Sequence, residues 1–336
     1  PLTKEGDGSR VLTIDNGDPF SRIAVSLSGV TITGGDAGDD GGGIRTRESL
    51  SLSGVRVIDN AAVGAGVRGG GIFSYGGDLT LDQTTISGNQ ALGSGAQGGG
   101  IYNTTPVLGA QATTISGSTI SGNSATGPGG GLFTGNNLVK SQQTRIINST
   151  ISGNSAGTSG GGIFAFDGNT EILYTTVTDN SAANDSGGGL ANYGDTGTET
   201  VLRSSIVSGN VGGDVAVVSG NVNTLSSSGY NLIGSGNAFG ATSQYSALDN
   251  FNAPGDQVGV TDPGLGALAD NGGPTETHAL LAGSPALDAG DPAAVAGGGQ
   301  TPEFDQRGAP RGRVQDGDGQ NGAVIDIGAY ELAVVG

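Results

Sequence analysis

The chain of 336 residues contains no cysteine, no methionine, no tryptophan and a single histidine, His278. The lack of cysteine excludes disulfides, thiolate metal sites and cysteine nucleophiles together, so any metal must be held by oxygen. Phenylalanine and tyrosine number 8 and 7, too few for an aromatic-rich globular core. No apolar run approaches the roughly 20 residues that would cross a bilayer. No charged-apolar-small leader pattern opens the chain at Pro1, so an export signal is expected to have been removed or left out. Acidic residues are missing altogether from 83 to 166, although the chain as a whole has a formal charge of −18. That charge excludes nucleic acid as an expected partner.

What is abundant is glycine, with 69 residues, but without the strict triplet of collagen. The phrase STISGNSA stands at 118 to 125 and again at 149 to 156, with paraphrases at 30, 55, 84, 175 and 205. Within each copy the residues alternate. Ile32, Val57, Ile86, Ile120, Ile151, Val177 and Val207 form an apolar column, and Thr31, Arg56, Thr85, Thr119, Thr150, Thr176 and Ile206 precede them. Period-two alternation marks a strand with one face on a core, and Arg56 places the second column on the solvent side.

Gly or Asp follows each strand (Asp59, Gly88, Gly122, Gly153, Asp179, Gly209), residue types that tolerate a left-handed corner. Next come Asn60, Asn89, Asn123, Asn154, Asn180 and Asn210, with Gly35 in the first copy; steps from 35 onward are 25, 29, 34, 31, 26 and 30 residues. A second landmark, GGGI or GGGL, begins at 41, 69, 98, 129, 160 and 187 in unchanging order. One repeat per turn predicts an all-β chain, a right-handed parallel β-helix (β-solenoid) of about nine coils, with coils at roughly 4.8 Å and like residues in ladders. The six asparagines are expected to form an internal ladder, each amide bonding to the next. Residues 1–234 are expected to hold the repeats and 235–336 a C-terminal capping region folded over the end of the rod.

The GGGI or GGGL landmark paired with Ser/Thr-x-x-x-Asn resembles the repeats of bacterial polymorphic outer-membrane proteins and related β-helix surface proteins. The strings DPGLGALADNGGPTETHALLAGSPALDAGD at 262–291, DQRGAPR at 305–311 and DIGAYE at 326–331 resemble the choice-of-anchor Q domain of secreted bacterial proteins. That resemblance implies an extracellular or cell-surface location and supplies no reaction. The anchor that follows such a domain is expected to be absent, cleaved or further on, since only LAVVG follows Glu331.

Pectin-cleaving enzymes share the β-helix and use clustered carboxylates, a basic Lys or Arg, or paired Asp residues. The acid-free middle coils offer none of the carboxylates. Asp36, Asp39, Asp40 and His278 remain, the last expected to be structural. No catalytic residue is therefore assigned. The expected function is a non-enzymatic adhesin, stalk or envelope or filament component, with surface glycans or envelope proteins as partners and head-to-tail self-association; the alternative is a polysaccharide-active lyase or glycosidase.

Three surface features complete the reading. In DGDGQNG, Asp316, Asp318 and Gln320 alternate as at the start of a calcium loop, with Asp326 beyond, so calcium is the expected cofactor and no organic one is. Phe73, Tyr75, Tyr102, Phe133, Phe164, Phe166 and Tyr193 follow the GGG landmarks and share a face that could meet sugar rings or another protein, or pack under loops. The outward hydroxyls from Thr31 and Thr33 to Thr176 and Thr178 would form a flat two-column array, similar to the ice-binding face of some antifreeze proteins.

Overall fold

The computed structural model describes residues 6, 8–18, 21–105, 111–135, 142–183, 185–194, 198–220, 224–237, 246–317 and 323–333. It is all-β, a parallel β-solenoid whose three long faces carry eight, eight and nine strands, with a fourth, short sheet of five. An eight-stranded face spans about seven coil-to-coil steps, or a rod of roughly 34 Å at about 4.8 Å per step. The coil count is thus lower than the nine expected. The coil runs on as far as Gly236, which bridges Val215, and Gln257–Val258 then adds a ninth strand to one face.

Each letter of the repeated phrase has a physical task, which the copy at 149 to 156 makes plain. Ser149 is buried; its hydroxyl accepts from the Ser118 amide at 3.2 Å and donates to the Ile147 carbonyl at 2.8 Å. Ile151 points inward and pairs in register with Ile120 and Val177, all three fully buried in one continuous core cluster. Gly153 takes φ +67° at the corner, and Asp59 and Asp179 hold the same left-handed turn in their coils. Asn154 turns inward, and Ala156 is buried in the short fourth sheet while Ser155 is exposed.

The GGG landmark is required by close approach. A Cβ on Gly161 would lie 2.3 Å from the Ser181 carbonyl oxygen and 2.5 Å from that of Gly188, so only hydrogen fits between coils there. The backbone then climbs glycine over glycine: the amides of Gly160, Gly161 and Gly162 donate to the carbonyls of Ser186, Gly187 and Gly188.

The C-terminal segment was expected over the end of the rod, and most of it lies elsewhere. A short 3-10 turn, Ala247–Asn250, closes the coil end, with Ala247 and Phe251 buried in the solenoid core. Beyond it the chain runs back along the side. A hairpin, Leu265–Ala269 with Thr277–Leu280, and the irregular stretch to Glu331 pack against the strands of the repeated phrase. The physical reason is apolar area: Ile206 and Leu232 form a second cluster with Leu280, Ala286, Ile327 and Tyr330.

Candidate functional site

The folded-back segment reads the outward hydroxyl column one residue at a time. Thr119 donates to the Glu276 carbonyl at 2.6 Å, and Thr150 donates to Gln306 Oε1 at 2.6 Å. Thr176 Oγ1 accepts from the Ala329 amide at 3.0 Å. The Gln306 amide nitrogen reaches Thr119 Oγ1, Thr275 Oγ1 and the carbonyls of Ser118 and Glu276, so one buried side chain pins two coils and the hairpin.

His278, 2% exposed, sits between Ser152 Oγ at 2.8 Å from Nε2 and the Gly266 carbonyl at 2.7 Å from Nδ1. A carbonyl can only accept, which places a proton on Nδ1; in the neutral ring Nε2 then accepts from Ser152. This histidine holds the hairpin to the coils.

The hydroxyl array is therefore not a solvent wall. Thr119 and Thr150 have no exposure, and Ser121, Ser152, Thr176 and Thr178 are buried as well. Thr31 and Thr33 on the first coil face water, and Ser87 two coils on is half-buried. A flat ice-binding surface over these coils is overturned by the segment that covers it.

Behind that contact lies a buried charge network built from the last two motifs. Asp305 accepts from the Arg307 side chain and from the Glu331 amide, and the Arg307 guanidinium stacks 3.7 Å from the Tyr330 ring centroid. Asp326 accepts from the amides of Asp288 and Leu332, both at 2.7 Å. Glu331 accepts from the amides of Gln315 and Asp326 and lies 3.8 Å from Arg313, which donates to the Gly328 carbonyl and is itself fully buried beside Tyr174. Burial pushes Asp326 up to about 6 and Glu331 up to about 9; backbone amides and Arg313 pull the other way and do not win.

Both folded values exceed the unfolded ones of 3.8 and 4.5, so the folded chain holds more protons than the unfolded chain between them. Stability from these groups is complete below about pH 4 and is lost as pH rises through about 6 for Asp326 and about 9 for Glu331. Thermal melts from pH 5 to pH 9 should show a falling Tm, and Glu331→Gln, which stays neutral, should flatten the upper part of that fall. Equal slopes in both proteins would remove Glu331 from the account.

The six asparagines stand in one column. Each Oδ1 from Asn89 to Asn210 accepts from the amide and the Nδ2 of the asparagine before it, at 2.8 to 3.1 Å. Asn60 closes the lower end on the Gly35 amide at 2.9 Å, and Asp214 the upper end on Asn210 at 2.8 Å.

All seven aromatic candidates also gather, outside the coil. The rings of Phe73, Tyr102, Phe133 and Phe164 stack in turn at centroid distances of 5.7, 4.7 and 5.2 Å, with Tyr75, Phe166 and Tyr193 half-buried alongside. The Arg68 guanidinium lies over the first two, at 5.7 and 5.4 Å. In the inner column the ring faces are spent on one another, leaving edges rather than faces to a ligand.

The acidic candidates are scattered. Asp39 pairs with Arg10 of the first coil and Arg45 of the second, and Asp40 accepts from the Arg68 amide at 2.8 Å, with burial raising its pKa. Asp326 is buried with both oxygens engaged by backbone, Asp316 is half-buried, and Asp318 and Gln320 lie outside the described residues. Among the described residues, no group of three or more His, Cys, Asp or Glu is placed to hold a metal.

No protein-family model matches the chain, and neither a curated protein nor a solved structure is significantly similar to it. The geometry must carry the functional reading.

Two sets of residues escape a reading of the sequence. One is the second internal ladder of Thr84, Ser118, Ser149, Thr175 and Ser205, visible only as the first letter of each phrase. The other is a cleft lined by Asp82, Arg145, Asn148 and Phe304, residues up to 222 positions apart that meet because the C-terminal segment folds back. Among the described residues, no helix is long and apolar enough to cross a membrane.

Proposed function

We propose that the protein is a non-enzymatic extracellular or cell-surface β-solenoid, a rigid adhesin or stalk of the secreted choice-of-anchor Q type. The observation that carries this reading is how the chemistry-bearing residues are spent. His278 and Gln306 are buried and hold the C-terminal segment to the coils, and Asp305, Asp326 and Glu331 are buried and engaged by partners within that segment. The middle coils carry no carboxylate at all from 83 to 166. Ladders of side chains along the whole rod favour stiffness over turnover. Calcium would act at the Asp316 loop as a brace. Self-association would use the first coil, whose strands Leu12–Ile14, Ala24–Ser28 and Thr31–Thr33 are hydrogen-bonded to a neighbouring strand on one side.

The test is a glycan array with and without calcium, followed by mass analysis of the bound glycans. Binding with every glycan recovered intact is expected. Shortened or unsaturated products would replace this reading with the polysaccharide-cleaving one.

A further inference from the structure

A cleft of about 420 Å³ opens where residues 299–308 cross the corner between two solenoid faces. Its volume falls within the roughly 300–1,000 Å³ typical of small-molecule sites. The solenoid contributes Asp82, Gln83, Arg145 and Asn148; the folded-back segment contributes Glu303 and Phe304.

Two features set this cleft apart from ordinary surface relief. First, it joins an aromatic ring to convergent polar groups: Phe304 is half-buried, Glu303 is exposed, and Asp82 accepts from Ser116 at 3.0 Å. Second, hydrogen-bonding capacity is left over. Asn148 donates to the Phe304 carbonyl at 3.1 Å, while its Oδ1 has no partner; Arg145 Nε also lacks a hydrogen bond, with the Glu171 carboxylate 3.6 Å away. A ligand hydroxyl that reached either atom would supply the missing partner.

The mixture of carboxylates, amides, one guanidinium and one ring is suited to vicinal hydroxyls above an apolar sugar face. Asp82 and Glu303 outnumber Arg145, and the chain carries a net charge of −18, so an acidic sugar would be repelled. We infer that this cleft, between the Asp82 and Arg145 coils and the Glu303–Phe304 strap, binds a neutral saccharide. The inference rests on the adhesin reading and gives it a site apart from the stacked aromatic face.

The full chain is titrated calorimetrically with neutral oligosaccharides and, separately, with oligogalacturonate. A neutral ligand is expected to bind, with affinity falling about tenfold or more in Phe304→Ala and falling also in Glu303→Gln, an exposed change that leaves the fold intact. Arg56→Ser, on the second coil, should bind as the parent does. Binding lost in Tyr75→Ser but kept in both cleft variants would overturn the cleft and leave the adhesin reading standing. Binding of oligogalacturonate alone would overturn the neutral ligand. A chain that binds neither would overturn the cleft, while the stalk reading is judged by the absence of cleavage.

Discussion

Replacing Ile151 by Asp is expected to unfold the middle coils under conditions where the parent chain is fully folded. Ile151 has no exposed surface, and its neighbours above and below are Ile120 and Val177. The substitution removes a packed side chain, worth about 2–5 kcal/mol in large-to-small changes, and leaves a carboxylate with no cation among the core residues. Burying such a charge costs several kcal/mol more or forces it to protonate. Together the loss is about 5 kcal/mol or more, comparable with the roughly 5–15 kcal/mol that holds an ordinary domain together. Circular dichroism melts should show a large fall in Tm, with new protease sites between 119 and 178. An unchanged Tm would contradict the inward column.

Asn154→Ala is expected to cost about 3–5 kcal/mol, because a single amide serves three coils. Its Oδ1 accepts from the Asn123 amide and from Asn123 Nδ2, and its Nδ2 donates to the Ile120 carbonyl and to Asn180 Oδ1. Alanine strands the Asn123 donors and the Ile120 acceptor in a corner with no access to water. Ser155→Ala, at the adjoining exposed position, should lie within about 0.5 kcal/mol of the parent. Chemical denaturation of the two variants side by side reads the difference directly; equal midpoints would mean that the ladder carries no net stability.

The difference between what the sequence revealed and what it hid has a physical basis. Ile86, Ile120 and Ile151 were legible because alternation assigns a face and stacking repeats the assignment in every coil. The Asn column was legible for the same reason, since an amide can pair with its own copy. Thr119, Thr150 and Thr176 were ambiguous, because a hydroxyl pointing out of a strand satisfies water and a docked segment equally well. The clue lay in Ile206, which seemed to interrupt that column but packs with Leu280, Ile327 and Tyr330. An apolar residue on a face otherwise read as wet was the mark of a covered face. The candidate cleft was not legible at all: nothing in the spacing of Arg145, Asn148 and Phe304 announces that they meet.

The fold-back of the C-terminal segment onto the hydroxyl column is the hinge of the account. It assigns His278 and Gln306 to structure, removes the flat array from solvent and builds the cleft. A chain without cysteine allows a clean test of it, by the reactivity of single thiols placed by Thr31→Cys and Thr150→Cys. Both positions occupy the same column of the same repeated strand, one exposed and one fully buried. With a maleimide reagent under native conditions, the thiol at position 31 should react at the rate of a free thiol and the thiol at position 150 about a hundredfold more slowly, matching only after denaturation. Equal native rates at the two positions would contradict the account and return that face of the rod to water.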